Sequence, residues 1–154
     1  NLSDYTVWLL ERSLKTMGLR VKAQNENAQL LAEYLYENDK VARVYYPGLK
    51  SHPDHELAKA QMKGFGGMLS FELVDGLDAE EFQKKLQLIK SSMSLAGVES
   101  TILSPSKTSH GLLTPEERAK QGIKDGLLRF SVGIEESEDL IADIEQALKH
   151  ISEK

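Results

Sequence analysis

Cysteine is absent from the 154 residues. That absence excludes a disulfide framework, a thiolate zinc site and a cysteine nucleophile. It suits a reducing compartment, and the cytoplasm is the expected location. No apolar run approaches the ~20 residues needed to span a bilayer, and no signal-peptide pattern opens the chain. Excess positive charge is also missing: 19 Lys and Arg stand against 24 Asp and Glu, a formal net charge of -5. The lysines are scattered among glutamates along helical faces, which argues against a nucleic-acid partner as well as a membrane one. There is no internal repeat, no low-complexity tract and no G-x-S-x-G nucleophile elbow.

What is present suits one soluble domain. Hydrophobic content is 40% and charged content 28%, and the length is enough to bury a core. The first residue is Asn1 rather than Met, and an amphipathic pattern is under way almost at once, so the chain is expected to be a piece of something longer. Apolar residues at near-helical spacing from Tyr5 to Leu35 predict one long helix of ~35 residues within 1–37, with Ser3 as its N-cap and Gly18 as the place for a kink or break. "VARVYYPG" (41–48) reads as a strand closed by a turn, and "SHPDHELAKAQM" (51–62) as a cap and a short helix. In "GFGGMLSFELVDG" (64–76), Met68, Ser70 and Glu72 alternate with Leu69, Phe71 and Leu73, the period of a half-buried strand.

"DAEEFQKKLQLI" (78–89) is amphipathic with acids in its first turn. "KSSMSLAGVESTILSPSKTSHGLL" (90–113) reads as a short strand and a long loop, and loops of that length in a compact domain are usually functional or disordered. Thr114 and Pro115 signal a short helix by cap and first-turn proline. A strand around Arg129 follows, and then a closing helix over 137–151 with Ser137 as its cap. The whole predicts an α/β (α+β) fold, a two-layer sandwich of about four strands with helices and a long N-terminal helix. The unit spans 1–154.

Several candidates for chemistry are better read as structure. His52 and His55 supply two ligands where a metal needs three or four. Gly64, Gly66 and Gly67 precede a strand, whereas a phosphate cradle places glycines between a strand and a helix. Glu80 with Glu81, and Glu116 with Glu117, point about 100° apart on their helices and serve the dipole rather than a dyad. His110 sits in the polar loop with Ser104, Ser106, Lys107, Thr108 and Ser109, without the frame of a Ser-His-Asp triad. Arg129 stands apart. It lies in the apolar run Leu127, Leu128, Phe130, Val132, Ile134, and a desolvated guanidinium requires a partner. Either it bridges to Glu135, Glu72 or another strand acid, or snorkels at the sheet edge, or it holds a carboxylate in its planar fork.

Five blocks occur in order: "RSLKTMGLRVKAQNENA" (12–28), "YYPGLKSHPDHELAKAQMKGFGGMLSFEL" (45–73), "SLAGVEST" (94–101), "TPEERAKQGI" (114–123) and "GLLRFSVGIEESEDLIADIEQAL" (126–148). Together they resemble the C-terminal part of the pyridoxal-phosphate-dependent Cys/Met metabolism enzymes. That family includes cystathionine β-lyase, cystathionine γ-lyase, cystathionine γ-synthase and methionine γ-lyase. The resemblance implies the small C-terminal domain of a fold-type I enzyme, with residues 1–37 connecting to a cofactor-binding domain. It implies that Arg129 binds the α-carboxylate of a sulfur amino acid, that Ser94 stands beside it, and that Met93, Leu95, Thr108 and His110 line the site.

The family's "SLGG" reads Ser94-Leu95-Ala96-Gly97 here, one glycine replaced by alanine. Met93 stands where some γ-lyases carry Glu, which favours β-cleavage. The Ser-x-x-Lys-type segment that carries the cofactor is not found, and neither Lys15 nor Lys107 has that context. By resemblance, then, the chain alone has no catalytic lysine and is inactive, while the full-length enzyme is a carbon–sulfur lyase and commonly a homotetramer. The lysine removes the α-proton, the cofactor ring takes up the charge, and a thiol leaves from Cβ or Cγ. Two other readings of the same residues are a free-standing amino-acid-binding regulatory module and a pure interaction domain.

Overall fold

Ser3 begins the first helix as its composition predicts. Its hydroxyl accepts the backbone N–H of Thr6 at 3.2 Å, which satisfies one of the donors a helix start leaves free. In this computed structural model, which describes residues 1–151, the N-terminal segment forms two helices rather than one. They are α1 (Asp4–Leu14) and α2 (Met17–Tyr36). The break falls at Lys15 and Thr16, not at Gly18, which is already helical. Ser13 turns its hydroxyl back onto the carbonyl of Leu9 at 2.8 Å, and the Arg20 guanidinium takes the carbonyl of Ser13 at 3.1 Å and the Thr16 hydroxyl. Side-chain donors thus bond backbone carbonyls on the approach to the break, among them that of Ser13.

The remaining elements are β1 (Val41–Tyr45), α3 (His55–Gln61), β2 (Met68–Leu73), α4 (Ala79–Lys85), β3 (Lys90–Ser91), β4 (Thr101–Leu103), α5 (Pro115–Lys120), β5 (Leu127–Ser131) and α6 (Ser137–Lys149). Thr114 caps α5 in a full capping box with Glu117, and Pro115 opens that helix. Ser137 is the first helical residue of α6 and not its cap; its hydroxyl turns to Glu138. The last three residues of the unit expected over 1–154 lie outside the described residues.

Five strands, not four, make one sheet in the order β1-β2-β5-β4-β3. The difference lies in 90–113, where β3 and β4 contribute two and three residues and pair in parallel. Strands that short carry no period to read. All other neighbours are antiparallel, and β5 occupies the centre, with Arg129 opposite Ser70 on β2 and Leu103 on β4.

Alternation then divides the sheet's two faces. Leu69, Phe71, Leu128 and Phe130 bury into one core cluster with Ala28, Leu31 and Leu35 of α2, Phe82 of α4 and Leu140, Ile144 and Leu148 of α6. Each fully buried side chain of this size contributes ~2 kcal/mol. The opposite face carries Arg43, Tyr45, Ser70, Glu72, Arg129, Ser131 and Thr101, and this polar face presents the candidate site. None of the helices among the described residues is long and apolar enough to cross a membrane.

Candidate functional site

The acids that the sequence offers to Arg129 are engaged elsewhere. Glu135 accepts the backbone N–H of Ser100 at 2.6 Å and the Ser100 hydroxyl at 2.9 Å. Glu72, 3% exposed, accepts from the Tyr45 hydroxyl at 2.5 Å and from Lys124 Nζ at 2.9 Å. Burial works to raise the Glu72 pKa, but the hydrogen bonds from Tyr45 and Lys124 and the charges of Lys124 and Arg43 outweigh it, so its carboxyl is held below the ordinary range. A depression of about 470 Å³ beside Glu72 also takes in Arg118 and Lys124. Both of those cations are already paired, Arg118 with Asp125 and Lys124 with Glu72.

Arg129 instead donates from Nη2 to two backbone carbonyls, Met93 at 3.0 Å and Ser94 at 3.4 Å. Its Nε is buried without a hydrogen-bond partner. Carbonyls orient a guanidinium but do not neutralise it, and an unpaired buried donor costs roughly 1–3 kcal/mol. Leu103, buried but outside the main core cluster, stands beside Arg129 across the ladder. The geometry is a fixed cation with one donor spoken for and another lacking an acceptor, a donor set of the kind that pairs with a planar anion such as a carboxylate.

The loop that supplies those carbonyls is tightly built. Ala96 has φ 59, the left-handed region, at a cost of ~1 kcal/mol for a residue with a Cβ. Its N–H donates to the Ser131 hydroxyl at 2.9 Å, and Thr101 Oγ1 donates to the carbonyl of Ser94 at 2.8 Å. Farther along, Gln24 of α2 donates to the carbonyl of Gly97 at 2.7 Å. Asn27, one turn on, donates to the carbonyls of Gly133 and Glu135 at 3.2 and 2.7 Å. Gly133 is required by close approach: its N–H donates to the Ser100 hydroxyl, and a Cβ there would lie 2.3 Å from the Val98 carbonyl oxygen.

Of the residues singled out from sequence, the structure joins Arg129, Met93 and Ser94 through backbone carbonyls. The Met93 and Leu95 side chains are exposed. Thr108 and His110 lie in the turned segment after β4, where Thr108 donates to the Ser104 carbonyl and His110 bonds Ser109, both at 2.8 Å. Their hydrogen bonds stay within that segment. His52 and His55 are structural: His52 Nδ1 accepts from the Asp54 N–H, and His55 stacks on Phe65 while bonding the Pro47 carbonyl. Among the described residues no three metal-ligating groups converge.

Sequence reasoning missed Gln24, Asn27, Ser100, Thr101 and Ser131. The signal for the first two was a polar pair at i, i+3 beside the apolar stripe of α2. The others are hydroxyls in a Ser- and Thr-rich stretch, where nothing local distinguishes a buried anchor from a loop residue.

A five-stranded sheet with helices on one face and a carbonyl-tethered arginine on the other defines a mixed α/β domain. The chain belongs to the Cys/Met metabolism PLP-dependent enzymes, whose family profile matches residues 1–149. It is 49% identical over 142 residues to a cystathionine β-lyase of Lactococcus lactis subsp. cremoris (strain MG1363), covering 92% of this chain and 37% of that protein. It is 46% identical over 144 residues to a cystathionine γ-lyase of Bacillus subtilis (strain 168), covering 94% and 38%. A crystal structure of a cystathionine γ-lyase from Lactobacillus plantarum complexed with L-serine superposes with TM-score 0.92 at 42% identity, covering 99% of this chain and 40% of that one. The chain thus spans well under half the length of these relatives.

The family's cofactor is pyridoxal phosphate. Tested against it, the residues of this site fit the amino-acid end of the chemistry. The buried, partnerless Nε of Arg129 complements a carboxylate oxygen. Lys15, by contrast, lies in an exposed i,i+4 ion pair with Glu11.

Proposed function

We propose that this chain is the C-terminal, substrate-carboxylate-binding domain of a PLP-dependent carbon–sulfur lyase that cleaves cystathionine at Cβ. One observation carries the reading: Arg129 is anchored through Nη2 to the carbonyls of Met93 and Ser94 and keeps a buried Nε without an acceptor. A substrate α-carboxylate fills that need with an ion-paired hydrogen bond, and Ser94, an exposed residue of the same turn, supplies a further contact. The cofactor, when bound, supplies an electron sink for the α-carbanion. Arg129 orients the substrate's Cα–H and its leaving group. A displacement of about 1 Å there costs on the order of a hundredfold in rate.

The lysine that links to the cofactor is contributed from outside this chain, and the chain alone is inactive. Coverage of less than two fifths of the β-lyase relative supports this division of labour. Met93 supports β-cleavage, because a thioether at the first carbonyl of the clamp offers no acid to assist proton transfer farther along the substrate. The test is product identity with the complete holoenzyme. Cystathionine and one water give pyruvate, ammonia and homocysteine by β-elimination, or 2-oxobutyrate, ammonia and cysteine by γ-elimination. Pyruvate is expected; 2-oxobutyrate overturns the β assignment, and no oxo acid overturns the lyase reading.

A further inference from the structure

Taking Arg129 as the carboxylate ligand, we propose that Thr101 and Ser131 are positioning residues, whose two hydroxyls hold the Ser94–Ala96 turn in register with the guanidinium. They are direct cross-strand partners on β4 and β5, so their side chains share a face. Ser131 follows Arg129 by two residues, which puts all three on the polar side of the sheet. Both are buried, at 4% and 2% exposure.

Their roles divide by chemistry. Thr101 Oγ1 donates at 2.8 Å to the carbonyl of Ser94, the same oxygen that Arg129 Nη2 approaches at 3.4 Å. A carbonyl oxygen has two acceptor sites, so one holds the turn and the other aims the cation. The Ser131 hydroxyl accepts the N–H of Ala96 at 2.9 Å, at the residue whose left-handed backbone reverses the chain. One hydroxyl pulls on a C=O and the other on an N–H two residues later, which fixes the turn against rotation as well as translation. The anchors from Gln24 and Glu135 act at Gly97 and Ser100, beyond the turn. Removing a hydroxyl therefore misaligns the guanidinium without unfolding the loop.

The test compares glycine with methylamine, a pair differing in the carboxylate, by the absorbance change each produces on binding the holoenzyme. Thr101→Val, and independently Ser131→Ala from the neighbouring strand, are expected to weaken glycine binding about tenfold, the equivalent of one hydrogen bond. Methylamine binding stays unchanged, and Thr101→Ser restores glycine. A general structural role would weaken both ligands together, and that result overturns the inference, as does unchanged glycine binding. Arg129→Ala run in parallel separates the two levels. If it leaves glycine's advantage over methylamine intact, the carboxylate reading itself falls and this inference with it. If it removes that advantage while Thr101→Val and Ser131→Ala do not, only the positioning role falls.

Discussion

Arg129 and Met93 are 36 positions apart in sequence, yet the guanidinium donates to the Met93 carbonyl at 3.0 Å. A backbone dipole orients this cation where a carboxylate would have neutralised it. Its charge remains available.

The first expectation concerns that charge. In the complete holoenzyme, Arg129→Ala should lower kcat/KM for amino-acid substrates about a hundredfold, the scale set by loss of positioning. Stability should fall little, since the residue gives up two hydrogen bonds and an unpaired buried Nε. Arg129→Lys should remain poor, because a point charge cannot reproduce two parallel hydrogen bonds. Steady-state kinetics beside thermal unfolding separates the two effects, and equal losses in both would refute the role.

Backbone geometry in the same loop offers a second check. Ala96→Gly should stabilise the protein by about 1 kcal/mol, because glycine adopts the left-handed conformation without the Cβ penalty. Gly133→Ala should destabilise by ~2 kcal/mol or more, as its Cβ would meet the Val98 backbone oxygen, which a side-chain rotation does not relieve. Chemical denaturation of both variants should give shifts of opposite sign.

A third follows from Glu72. Its carboxyl is held below the ordinary value of 4.5 in the folded state by Tyr45 and Lys124, against the opposing pull of burial. A lowered folded pKa adds stability that is complete above the unfolded value and lost as pH falls through the folded one. Glu72→Gln should thus be less stable than the parent at pH 7, with the gap closing below about pH 4. Urea midpoints across that range measure it, and a gap that stays constant would rule the linkage out.

Asp143 gives the fourth. This residue of α6 is 6% exposed, and its carboxylate accepts the backbone N–H groups of Gln87, Leu88 and Ile89 at 2.8, 2.9 and 2.8 Å. Asp143→Ala leaves three donors without their acceptor and should cost about 3 kcal/mol. Hydrogen exchange should show the loss first at residues 87–91, the approach to β3.

Local chemistry foretold much of this fold. Ser3 and Thr114 cap helices as their residue types predict. The alternation through 68–73 separates Leu69, Phe71 and Leu73 from Ser70 and Glu72. These features depend on neighbours within four residues, so a sequence displays them. The two-helix start shows the limit: Gly18 carries the strongest local breaking signal, yet Arg20 reaching back to Ser13 and Thr16 moves the break two residues earlier.

For the site, the sequence by itself determined that Arg129 is a cation set into an apolar strand and in need of a partner, because alternation and desolvation are local facts. The rest belonged to tertiary structure. Glu135 and Glu72 were equal candidates until folding gave one to Ser100 and the other to Tyr45 and Lys124. Residues 90–103 hold strands only because β5 pairs with β4 and β4 with β3. The partners that Arg129 takes are carbonyls, which every residue possesses, so no side-chain pattern marks which two will be used. Under the positioning proposal that choice is made by the two hydroxyls at Thr101 and Ser131, contacts that exist only once the sheet has closed around β5.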